Sequence, residues 1–254
     1  MFTAYFDASG DENSPVVTVA GFVSRVSKWE RFEQQWRGLL PPDIALFHMT
    51  DFASSRKGWE LWKEITDQRA HLMAQLTSCI KKNTNKGFAA SVAKKDYDRV
   101  NLQYAISEDF GGRYVLCGMA CLAELQRWAT SQKQDYRRIR CVFEDGDDGQ
   151  GRLLKLAETV GFNVIRQSKR LIRAFDACDL GAWKARRIVD AAFDKKMHRY
   201  DPAGFKRTLA SLDELGPILQ DNGILRTKAI EQVCVNSRVP VRLGTHEAAY
   251  GGNV

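Results

Sequence analysis

The sequence predicts an α/β fold, a mixed sheet that begins antiparallel and continues through helical crossovers into parallel strands. Three observations predict it. Phe2, Ala4 and Phe6 alternate with Thr3, Tyr5 and Asp7, the period of a strand whose two faces differ. A turn-forming Ser9-Gly10-Asp11 then leads into a second β-rich run at residues 16–23, so the chain opens with a hairpin. Further on, short apolar runs at residues 87–93, 139–144 and 162–165 alternate with long helical patterns, the order that places crossovers between parallel strands.

The helical segments follow in order. Trp29, Phe32 and Trp36 are spaced three and four apart and share one helix face, which reads as core. Ser27, with Glu30 three residues on, spells a capping box at its start, and Pro41-Pro42 ends it. Residues 45–52 are short and apolar, interrupted by His48 and Asp51. Residues 59–82 read as one long amphipathic helix, 97–104 as a short helix or loop, and 110–131 as a mostly buried helix. Residues 152–160 form a helix stopped by Gly161. Residues 171–193 form another, carrying Asp176 and Asp179. Helical stretches at 204–215 and 223–234 and a polar, Gly-rich tail from Leu243 complete the chain.

With 254 residues, 44% of them hydrophobic, the chain can bury a full core. The net charge of +7 favours an anionic partner, nucleic acid being the commonest. Cys79, Cys117, Cys121, Cys141, Cys178 and Cys234 form no CxxC pair and read as small buried hydrophobes in a reducing compartment. No signal peptide and no membrane-length apolar run is seen, so a cytoplasmic protein without a membrane partner is expected. Nothing in the sequence sets an oligomeric state.

The chemistry lies in acids at strand ends. Asp7 closes the first strand. Glu144 closes the fourth, with Asp145, Asp147 and Asp148 behind it. If those strands are parallel neighbours, their carboxylates lie side by side. Asp176 and Asp179 sit among apolar residues, where a charge is costly unless paired or metal-bound. Three separated segments thus deliver acids to one place, the arrangement a Mg²⁺- or Mn²⁺-dependent phosphodiesterase needs. Arg137, Arg138, Arg140, Lys169, Arg170 and Arg173 frame the acids, which suits a polyanion.

The opening Tyr5-Phe6-Asp7-Ala8-Ser9-Gly10, followed by Val19-Ala20-Gly21-Phe22-Val23, resembles the start of a large bacterial and phage family of unknown function. Its members carry an N-terminal Asp-Glu-Ser-Gly signature and are regarded as RNase H-like nucleases. Residues 47–52 around His48, residues 142–147 around Glu144, Ser168-Lys169, and Phe175-Asp176-Ala177-Cys178-Asp179-Leu180 are similar to its further segments, in the same order. The resemblance spans residues 2 to about 190. It implies metal-binding acids at Asp7, Glu144 and Asp179, with Ser9 and His48 in accessory places. Ala8 departs from the usual Glu, and Asp176 stands where Gln is common.

Residues 1–195 are therefore expected to form an RNase H-like domain with a helical insertion around 52–84. Residues 196–254 form a C-terminal helical extension and polar tail. Three antiparallel strands precede two parallel ones, with flanking helices. The expected function is metal-dependent hydrolysis of DNA or RNA, with Asp7, Glu144 and Asp179 as Mg²⁺ or Mn²⁺ ligands and Asp176 as a fourth. His48 is a proton shuttle or phosphate contact, and Ser9, Lys169 and Arg170 touch substrate. The alternatives are a non-catalytic nucleic-acid-binding module, or an interaction component of a bacterial or phage defence or mobile-element system.

Overall fold

A computed structural model describes residues 1–11, 13–194, 199–200, 222–225 and 227–236. The sheet is built on β1 (Phe2–Ser9), β2 (Val16–Arg25), β3 (Lys86–Ala93), β4 (Arg140–Glu144) and β5 (Asn163–Gln167). Their order is β5-β4-β1-β2-β3. β1, β2 and β3 run antiparallel in turn, and β4 and β5 run parallel to β1. This is the expected mixed sheet, RNase H-like in strand order and direction.

The helices are α1 (Val26–Leu39), α2 (Met49–Ala53), α3 (Thr66–Asn83), α4 (Lys94–Tyr104), α5 (Ile106–Asp109), α6 (Arg113–Ser131), α7 (Gln150–Thr159), α8 (Ala174–Ala192) and α9 (Thr227–Asn236). They cover both faces of the sheet. Val100, Val115, Leu122, Leu125, Leu153 and Ile230 bury one face with Ala4 and Phe6 of β1. Phe32, Trp36, Leu76, Ile80, Ala177 and Leu180 bury the other, where Tyr5 packs. The alternation read in the first strand is the one observed. It turns Asp7, two residues beyond Tyr5, toward the α8 side.

Several boundaries differ from the expected ones, each for a physical reason. Strand β2 passes into α1 with no intervening loop. Arg25 takes the N-cap position, and Ser27 lies within the first turn, so no capping box forms. Residues 59–82 are not one helix. Gly58 adopts a left-handed φ of 94°, Trp59 turns into the core, and the helix proper starts only at Thr66. The segment read as a helix over 223–234 is divided. Asn222–Leu225 forms β8, a sixth strand parallel to β3, before α9 begins. The free edge of β3 offers a ladder of unpaired backbone groups, which outweighs the weak helical preference of a segment containing Gly223. Phe193–Asp194 (β6) and Arg199–Tyr200 (β7) form a short antiparallel ribbon. The stretches at 204–215 and beyond 243 lie outside the described residues. Phe52, Trp59, Leu72 and Leu76 join the same core as α1 and α8, so the insertion packs onto the domain rather than standing apart.

Cys79, Cys117, Cys121, Cys141 and Cys178 are buried and free of disulfides. Among the described residues no helix is long and apolar enough to cross a membrane.

Candidate functional site

Neighbouring parallel strands assemble the site. Phe6 of β1 stands beside Phe143 of β4, and their rings stack at 4.8 Å between centroids. The next residue on each strand, Asp7 and Glu144, therefore emerges at the same end and on the opposite face. Helix α8 crosses that face and adds Asp179. All three carboxylates surround a single positive charge, the ammonium of Lys169. Its Nζ lies 3.0 Å from Asp179 Oδ2, 3.5 Å from Asp7 Oδ2 and 3.9 Å from Glu144 Oε2. Lys169 follows directly on β5, in a single 3-10 turn over Lys169–Leu171, with the Ser168 side chain accepting from the Arg170 N–H. Lys169, Asp7 and Asp179 are each more than nine-tenths buried.

The electrostatics follow from crowding. Burial raises the Asp7 carboxyl well above the usual range. Lys169 opposes this, while the neighbouring carboxylates of Glu144 and Asp179 add to it. Burial pulls the Lys169 ammonium down, but Asp7, Asp179 and Glu144 outweigh it and hold the proton more firmly than on a free lysine. The ammonium is the fixed charge of the cluster, and Asp7 relieves the excess of negative charge by keeping a proton to higher pH. Asp7 Oδ2 has no hydrogen-bond partner; Asp7 Oδ1 accepts the backbone N–H of Ala8.

The other residues expected in the site are placed differently. The His48 ring is partly exposed, with Nδ1 3.7 Å from Asp51 Oδ2, and Asp51 in turn meets Lys57 at 3.0 Å. The link from this segment to the carboxylates is the backbone N–H of Met49, which donates to Asp179 Oδ2 at 2.8 Å. The Ser9 hydroxyl accepts from Arg186 Nε at 3.0 Å, within a group that includes Ser14 and Asp190. Arg170 is exposed on the rim. Lys169, expected as a substrate contact, lies at the centre of the acids. The structure does not bring Asp176 to the ammonium's contact shell. Its Oδ2 accepts the indole N–H of Trp36 at 3.0 Å, with Arg173 at 3.7 Å, and its Oδ1 is buried without a hydrogen-bond partner.

Burial pushes the Asp176 carboxyl from an ordinary 3.8 up to about 7, against the pull of Lys169, Arg173 and Trp36. The folded protein thus keeps a proton that the unfolded chain releases near pH 4. Between those values the folded state binds more protons, so this group lowers stability as pH rises from about 4 to about 7. Asp176→Asn is expected to remove that slope and to raise stability at pH 8 by on the order of 3 kcal/mol. Urea denaturation at pH 5 and pH 8 checks it, and a mutant less stable than wild type at pH 8 would contradict it.

Asp147, one of the acids read behind Glu144, also approaches Asp7. Burial and the nearby Asp7 charge push it up to about 6. The flanking Gly146 and Gly149, both at positive φ, mark the turn that folds it back toward Asp7. That glycine pair was the legible signal.

Among the described residues, no three His, Cys, Asp or Glu side chains stand at the spacing of metal ligands. The three carboxylates instead enclose the Lys169 ammonium. Their donor chemistry is nevertheless that of a hard divalent ion, all oxygen and anionic, with the Asp7 Oδ2 atom free of any hydrogen bond. No protein-family model matches this chain, and neither does any curated protein.

Proposed function

We propose that this protein is a metal-dependent phosphodiesterase acting on DNA or RNA. One observation carries the reading: Asp7, Glu144 and Asp179, delivered by β1, β4 and α8, converge on one cationic position at the end of adjacent parallel strands. Mg²⁺ or Mn²⁺ held by these three would supply Lewis-acid activation of water and neutralise charge at the scissile phosphate. The chain supplies the rest. His48 directly precedes Met49, whose N–H anchors Asp179, and its partly exposed imidazole can there take or give a proton. Arg170 lies on the rim, where it can meet a phosphate, and the net charge of +7 favours a polyanion. The resemblance to the Asp-Glu-Ser-Gly family supports the same reading, and a reducing cytoplasm suits the buried thiols.

A second reading has its own support. Lys169 already neutralises part of the acid cluster, and Ala8 brings no further acid. Such a site suits a nucleic-acid-binding module that does not cut. The two separate in one experiment. Labelled single- and double-stranded DNA and RNA are incubated with the protein in Mn²⁺, in Mg²⁺ and in EDTA. The phosphodiesterase reading expects products with either metal and none in EDTA. Salt-sensitive retention of intact oligonucleotide under all three conditions would transfer the assignment to the binding module.

A further inference from the structure

We propose that Lys169 is the resident cation of the carboxylate site. It holds Asp7, Glu144 and Asp179 together before a divalent ion arrives, and it leaves their centre when one binds. The inference rests on the phosphodiesterase reading and adds to it how the metal site is regulated.

Three carboxylates this close repel one another, and burial removes most of the water that would screen them. A counter-charge at their centre is what allows the approach. Lys169 supplies it without a metal, through contacts of 3.0 to 3.9 Å to all three. The same contacts explain why the acids stand at ammonium spacing rather than at the spacing of metal ligands.

The ammonium and a divalent ion compete for the same atoms. Asp179 Oδ2 carries the shortest lysine contact and also the Met49 N–H, while Asp7 Oδ2 has the lysine but no hydrogen bond. A divalent ion placed on these oxygens would set two cations side by side in a buried space, and the more mobile one must move. Lysine is suited to that. Its four-carbon stem can swing while the backbone stays anchored, and here the turn is fixed by the Leu171 N–H donating to the Ser168 carbonyl and the Arg170 N–H to its side chain. The exposed neighbours Arg170 and Leu171 place open solvent beside that turn. Once released, the ammonium is free to meet a phosphate oxygen. A buried lysine and a substrate-contacting lysine are then two states of one residue.

Two measurements test this. In the first, wild-type protein is acetylated with an N-hydroxysuccinimide ester in EDTA and in saturating Mn²⁺, and the extent at Lys169 is read by mass spectrometry. Lys169 is expected to be protected in EDTA and labelled at least about tenfold faster in Mn²⁺ as its contacts open. In the second, Mn²⁺ is titrated calorimetrically into wild type and Lys169→Met, which keeps the stem and removes the charge. The variant is expected to bind Mn²⁺ roughly tenfold more tightly, since the competitor is gone. Should the variant not fold, the labelling of wild type decides alone. Mn²⁺ binding with Lys169 still protected, or an equal or weaker affinity in Lys169→Met, overturns this inference and leaves the phosphodiesterase reading standing. No Mn²⁺ binding to wild type, with or without oligonucleotide, overturns both.

Discussion

Asp7→Asn and Asp179→Asn are each expected to reduce Mn²⁺-dependent cleavage by about 1,000-fold or more while leaving a folded protein. Each removes one anionic ligand and keeps the shape of the side chain. The loss corresponds to about 4 kcal/mol of transition-state stabilisation, the scale on which a bound metal acts. The two variants should differ in stability. Asp7 is buried, its carboxyl is already driven toward the neutral form, and its Oδ2 has no hydrogen bond. An amide there relieves repulsion, so Asp7→Asn should melt at or above the wild-type temperature, the usual sign of a site in which stability is traded for function. Asp179 accepts both the Lys169 ammonium and the Met49 N–H, so Asp179→Asn should melt lower. Asp145→Asn, at an exposed acid beside the site, serves as the control and should leave cleavage unchanged. Full activity in purified Asp7→Asn would end the metal-ligand assignment.

The largest expected effect on stability comes from a residue with no side chain. Gly21→Ala should destabilise the fold by about 3 kcal/mol or more, the upper range for overpacking a core. Gly21 pairs with Phe6 across β1 and β2. A Cβ at Gly21 would overlap the Tyr5 carbonyl oxygen and the Phe6 ring. The ring cannot retreat, because it is stacked on Phe143, and a carbonyl within a ladder cannot retreat at all. Gly38, within α1, has nothing near its missing Cβ, so Gly38→Ala should be neutral or stabilising by roughly 0.5–1 kcal/mol. Urea denaturation of the pair separates a steric effect from a general intolerance of glycine replacement. Equal stability of the two variants would refute the packing argument.

Much of this architecture was legible because it depends on local period and on position along a strand. The alternation from Phe2 to Asp7 set the two faces of β1, and the acids closing the first and fourth β-runs could be paired once those strands were taken as parallel neighbours. The Trp29, Phe32 and Trp36 stripe was legible for the same reason, since helical spacing survives whatever the helix packs against. Where a distant segment decides, local reading failed. Ser27 carries the chemistry of a cap, yet β2 runs straight into the helix and leaves it nothing to cap. Residues 222–225 follow the free edge of β3 rather than their own preference. Lys169 is the clearest case. A lysine beside an arginine after a strand looks like a solvated pair, and only the arrival of β1, β4 and α8 reveals a buried ammonium among three acids. Asp176 and Asp179, three residues apart on one helix face, part company for a similar reason, since Trp36 from α1 claims the first.

The distance along the chain between Asp7 and Asp179, 172 residues, has a bearing on biosynthesis. During synthesis β1 gains its parallel partner β4 only when residues 140–144 arrive, and its remaining charges only with Lys169 and α8. At roughly 5–20 residues per second, Asp7 waits on the order of ten to thirty seconds for its companions. Through that interval the nascent protein holds a lone carboxylate at an unpaired strand edge, and the charge cluster around Lys169 does not yet exist.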